Sequence, residues 1–82
     1  MSESPRLVLL PGMGADERMF EEQRAAFPGL IVPPWLPARK RESLRDYAAR
    51  MAETIRVERP FYLGGVSMGG MVALEMARYL KP

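Results

Sequence analysis

Three short apolar runs punctuate the chain, and each leads into a turn and then into a stretch with helical spacing. Within residues 6–10, Leu7-Val8-Leu9-Leu10 has no polar interruption, the pattern of a strand buried on both faces in a parallel sheet. Pro11-Gly12-Met13-Gly14 ends it, because proline donates no ladder hydrogen bond and glycine permits a turn. Asp16 then caps a helix predicted over residues 17–27, with Glu17 early, where the helix dipole favours acid. Met19, Phe20, Gln23, Ala26 and Phe27 fall near one face of that helix, and Pro28-Gly29 stops it.

Leu30-Ile31-Val32 is a second predicted strand, ended by Pro33-Pro34 and followed by a proline-rich, basic connection over residues 35–42. Ser43 and Asp46 give a start signal for the next helix. Leu44, Tyr47, Ala48, Met51, Ala52 and Ile55 recur there at helical spacing, to an end near Val57, with Arg45, Arg50, Glu53 and Arg56 on the wetter side. After Pro60, Phe61-Tyr62-Leu63 reads as a third strand. The helix predicted over residues 68–80 leaves almost no polar face, because Met71, Val72, Ala73, Leu74, Met76, Ala77, Tyr79 and Leu80 surround it; such a helix is normally covered on most sides.

The order βαβαβα, with crossovers long enough for helices, predicts an α/β fold. It is a three-layer arrangement in one domain over residues 1–82, a short parallel β-sheet with flanking helices. Both edges of so small a sheet are open. With the apolar last helix, they predict that the chain associates with itself or is part of something larger.

Composition narrows the picture further. A chain of 82 residues buries only about 60% of the surface its unfolded form exposes, so its stability is expected to be marginal. A net charge of +2 is too small to argue for nucleic acid, and Arg39-Lys40-Arg41 reads as a solvated loop with no aromatic platform beside it. There is no cysteine and no histidine. The first absence removes a disulfide framework; the second removes the usual general base for an activated serine. The seven methionines read as core filling, so no metal and no cofactor is expected. The first residues show neither a basic start nor a long apolar run, so no signal peptide and no membrane span is predicted, and the location is cytoplasmic by default.

The stretch that carries chemistry is Phe61-Tyr62-Leu63-Gly64-Gly65-Val66-Ser67-Met68-Gly69-Gly70, a strand, a sharp turn and a helix start. Gly65 and Gly69 stand two before and two after Ser67, where side chains would collide if strand and helix approach closely. The N–H of Met68 and the positive end of the following helix would face negative charge developing beside Ser67, which suits acyl transfer. A phosphate-binding reading fails, because there is no G-x-x-x-x-G-K-[ST], and Gly12-Met13-Gly14 is followed by Glu17 where a dinucleotide fingerprint needs glycine.

Three features together make residues 6–80 resemble the N-terminal portion of the α/β-hydrolase superfamily: the strand followed by Pro11-Gly12-Met13-Gly14, the Ser43-Leu44-x-x-Tyr47-Ala48 helix, and the Gly65-to-Gly69 elbow. The resemblance implies that the first strand lies between the other two. It implies Ser67 as nucleophile, the backbone N–H groups of Met68 and Met13 as oxyanion donors, and Gly65 and Gly69 as structural residues of the elbow. Many members carry His-Gly where this sequence has Pro11-Gly12, a change that leaves a backbone donor in place. The implied substrate is a small acyl or ester compound, hydrolysed in esterase or thioesterase fashion.

Family members place an acid and a histidine after later strands, whereas here Glu75 is the one acid after Ser67 and reads as a surface residue. Asp16 and Asp46 read as helix-start residues. Two readings therefore stand: the N-terminal part of a serine hydrolase whose acid and base come from elsewhere, or a non-catalytic truncated α/β module stabilised by self-association. Trp35 and Tyr79 read as core packing in preference to an acyl pocket.

Overall fold

The computed structural model describes residues 6–12 and 14–82. Strands β1 (Arg6–Leu10) and β2 (Phe61–Gly65) pair in parallel, with Val8 opposite Leu63 and Leu10 opposite Gly65. On the other side of β1, Ile31 donates to the Leu7 carbonyl at 2.9 Å and accepts from Leu9 N–H at 3.0 Å. The first strand thus lies between the other two, as expected. The strand expected over residues 30–32, however, contracts to one parallel bridge between Ile31 and Val8. Leu30 N–H turns back to the Phe27 carbonyl at 2.9 Å, and Pro33 has no N–H to extend the ladder.

The helices follow their caps. Ser43 Oγ accepts from Asp46 N–H at 3.0 Å, which satisfies one orphan donor at the start of helix α2 (Leu44–Glu53). This helix stops short of Val57. Thr54 Oγ1 donates to the Met51 carbonyl at 2.7 Å, and the β-branched side chains of Thr54, Ile55 and Val57 weaken further winding. The 17–27 segment is a 3-10 turn over Glu17–Phe20 followed by helix α1 (Glu21–Ala26). Asp16 caps the turn through Arg18 N–H at 3.0 Å and also grips the Arg18 guanidinium. Helix α3 (Met68–Leu80) has the expected bounds and closes on Lys81 in the left-handed region, φ 50°.

Period-two alternation sorts the sheet. Val8, Leu10 and Phe61 point to one face, where they pack with Ala48, Met51 and Ala52 of α2, with Ile55, and with Val72, Ala73 and Met76 of α3. Full burial of side chains such as Leu10, Met51 and Met76 contributes roughly 1.5–3 kcal/mol each. Leu7, Leu9 and Tyr62 point to the opposite face and stay partly or largely exposed. Helix α1 contacts its own 3-10 turn and no other element, and of its expected apolar face only Phe20 is buried. Helix α3 is less enclosed than its composition suggested: Met71, Leu74 and Tyr79 are exposed, Leu74 by 74%. Among the described residues, no helix is long and apolar enough to cross a membrane.

Candidate functional site

The carboxyl end of β1, the loop after it, and the turn from β2 into α3 meet at one place. Val66 N–H donates to the Leu10 carbonyl at 3.1 Å, which ties the turn to the strand beside it. A Cβ on Gly69 would lie 2.4 Å from the carbonyl oxygens of Leu10 and Pro11, and one on Gly65 would lie 2.3 Å from Gly69 backbone atoms. Real Cβ atoms do not approach so closely, so only glycine fits at both positions. Gly70 carries a milder version of the same constraint, 3.1 Å from the Gly65 oxygen. These contacts give a spatial reason for the glycines flanking Ser67.

Ser67 itself is exposed and sits at φ 54°, ψ −121°. That is a region which a residue with a Cβ enters at a cost of about 1–3 kcal/mol. Its side chain makes no capping bond to α3. The Ser67 carbonyl accepts from Gly70 and Met71 N–H at 2.9 and 3.2 Å, and Gly69 N–H goes to Val66. Met68 opens α3, so its N–H belongs to the first turn, where no intrahelical carbonyl can accept it. Of the two expected backbone donors, Met13 lies outside the described residues; its neighbour Gly12 is buried, with its Cβ direction 3.8 Å from the Val66 oxygen.

Comparison with protein families matches residues 5–82 to the thioesterase domain. The chain belongs to the thioesterase domain family, within the α/β-hydrolase superfamily. Comparison with curated proteins and with solved structures found no match. As a family of acyl hydrolases, thioesterase domains act on acyl substrates.

A cavity of about 580 Å³ adjoins the elbow of this thioesterase domain at Met68 and is bounded by Trp35, Ala38, Glu42, Leu44 and Tyr47. Its size falls within the roughly 300–1,000 Å³ usual for small-molecule sites, and its walls are as apolar as those sites require. Trp35 packs against Tyr47 with ring centroids 5.9 Å apart and a 38° tilt. The reading of Trp35 as core packing alone is thus incomplete, because it also walls the cavity. Tyr79 is exposed and is neither core nor wall.

The wall is fastened by a polar cluster that the sequence reading missed. Arg50 Nε and Nη2 donate to Glu42 Oε2 and Oε1 at 2.7 and 2.9 Å, and Nη2 also reaches the Pro37 carbonyl at 2.8 Å. Arg39 N–H adds a bond to Glu42 at 3.0 Å, and the Tyr47 hydroxyl donates to the Leu36 carbonyl at 2.7 Å. The Arg50 guanidinium lies 5.6 Å from the centre of the Tyr47 ring, within cation–π range. Arg50, placed on the wet side by its spacing, is in fact 22% exposed, and Glu42 is 8% exposed. Hydrogen bonds from Arg50, and then from Arg39 N–H, hold the Glu42 carboxyl down to about 2. The two residues stand in different elements across a turn, and helical periodicity carries no signal for such a pair.

Asp16 and Asp46 serve helix starts, as expected. Glu75 lies 3.7 Å from Arg78, with its side chain about a quarter exposed, and its Oε2 is buried without a hydrogen-bond partner among the described residues.

Proposed function

We propose that the chain carries the nucleophile and oxyanion portion of an acyl-thioester hydrolase. The observation that supports it best is the backbone of Ser67, exposed and held at φ 54°, in a turn whose neighbours at positions 65 and 69 admit only glycine. In this reading Ser67 Oγ attacks the acyl carbonyl carbon while its proton passes to a base. The carbonyl oxygen takes up negative charge and receives N–H bonds from Met68 and Met13. Collapse expels the thiol, which leaves with a proton, and water then releases the acid from the acyl-serine. These 82 residues contain no histidine, so the base comes from outside them, as does the acid that would orient it.

Fluorophosphonate labelling followed by mass mapping tests this reading without a known substrate. Donors aimed at the developing oxyanion retain roughly 10³-fold catalysis when a base is missing. Ser67 is therefore expected to be labelled at least ~10²-fold faster than Ser43 in the same sample, with the fast adduct lost in Ser67→Ala. Equal labelling of Ser67 and Ser43, an ordinary capping serine, would dismiss the reading.

A second reading concerns assembly. Met71, Leu74 and Tyr79 of α3 are exposed, and β2 has no strand partner beyond β1 among the described residues. An exposed apolar helix face meets an identical face in an isologous contact, so a second copy of this chain suits it.

A further inference from the structure

The Glu42–Arg50 pair is more elaborate than a surface ion pair. One guanidinium fork grips a carboxylate at two points and a loop carbonyl at a third, and rests near an aromatic ring. All the groups it holds belong either to the 35–42 connection or to α2. That connection carries Trp35 and Ala38, which form one wall of the cavity, while Leu44 and Tyr47 of α2 form another. A planar, always-charged fork holds such partners in fixed relative positions, which a lysine ammonium does not. The Tyr47–Leu36 bond fastens the same connection at a second point.

From this placement we infer that Arg50 is a positioning residue for acyl selection: it clamps the 35–42 connection onto α2 and so fixes how far the Trp35 wall stands from Met68. The inference rests on the proposed thioester hydrolysis for the kind of ligand the cavity takes, an uncharged, unbranched acyl chain whose carbonyl end faces the elbow. Arg50 touches neither that chain nor the reacting atoms. It acts through the loop, and the property it controls is the preferred chain length.

The test uses S-alkyl thioethers of N-acetylcysteamine with hexyl, decyl and tetradecyl chains, which resemble thioesters and are not hydrolysed. Binding to the whole chain is read by calorimetry and by the emission of Trp35, its one tryptophan. The parent chain is expected to prefer one length over the others by about tenfold or more. Arg50→Met should lower affinity for the preferred length about tenfold and level the three lengths to within about twofold, with red-shifted Trp35 emission. A fold that is merely less stable weakens every length by the same factor, and so leaves the ratios intact. Arg50→Lys should restore only part of the preference, while Arg45→Met, which removes an exposed charge from the same helix, should change nothing.

Ala38→Trp fills the cavity from its lining, at an exposed position whose own side chain makes none of the clamp's hydrogen bonds. It should move the preference towards the hexyl probe whether or not Arg50→Met folds. Unchanged length ratios in folded Arg50→Met, or in Ala38→Trp if Arg50→Met does not fold, would overturn the inference. So would failure of all three probes to bind the parent chain. Failure of Ser67 labelling alongside Arg50-dependent binding would instead remove the proposed chemistry and leave the clamp and its cavity standing.

Discussion

At the scale of single residues, the elbow is a problem of where Cβ atoms can go. Gly65 and Gly69 are required because backbone carbonyls and amides occupy the space that their side chains would fill. Gly69→Ala and Gly65→Ala are each expected to lower stability by about 3 kcal/mol or more, since backbone atoms cannot give way as a flexible side-chain tip can. Gly29→Ala is the matched control, with nothing within 4 Å of its Cβ direction; it should fall within about 0.5 kcal/mol of the parent. Urea unfolding of the three variants checks this, and similar midpoints for Gly69→Ala and Gly29→Ala would contradict the close approach of α3 to β1. These glycines were legible in the sequence because a covalent spacing of two residues on either side of Ser67 states the constraint locally. Strain at Ser67 was legible only through the G-x-S-x-G elbow pattern, since serine by itself is an ordinary residue whose φ is set by what surrounds it.

Elements were legible where a local signal set their ends. The Ser43–Asp46 cap and the apolar run of α3 marked their helices, whereas the 30–32 strand depended on hydrogen bonds made to β1, and the early end of α2 on a Thr54 side-chain bond that periodicity does not show. The clamp between the 35–42 connection and α2 belongs to the second kind, and its electrostatics predict an acid-sensitive join. Arg50, then Arg39 N–H, lower the Glu42 carboxyl from its ordinary 4.5 to about 2. A carboxyl depressed in the folded state stabilises fully above its unfolded value and loses that contribution as pH falls through the folded one. The stability difference between the parent and Glu42→Gln should therefore be constant above pH 4.5 and shrink progressively towards pH 2. Urea midpoints measured for both proteins across that range check the sign, and a difference that grew on acidification would contradict the ion pair. Asp16, lowered by its bonds from Arg18, titrates in both proteins and cancels from the comparison.

For the whole molecule, the parallel α/β arrangement followed from the order of apolar runs, because crossovers of that length allow little else. What the pattern did not convey was the unequal covering of the two sheet faces. Alternation along β1 and β2 says which residues share a face, and only packing shows that α2 and α3 lie on one of them while α1 stands apart. The exposed side of α3 makes a prediction at this scale. Sedimentation equilibrium should show a mass that rises with concentration, and Leu74→Lys should weaken that association at least about tenfold, since each copy would then place a charge in the contact. A concentration-independent monomer, or an unaltered oligomer in Leu74→Lys, would argue against that interface.

The bond from Val66 to Leu10 also sets an order of assembly. The sharp turn at Ser67 is held open on one side by the end of β1, and joining the two means closing a long loop before any local reward arrives. The serine can therefore take its strained, outward conformation only once both ends of that loop have met. A variant that loosens the end of β1 would therefore relax Ser67 without altering any residue of the turn itself.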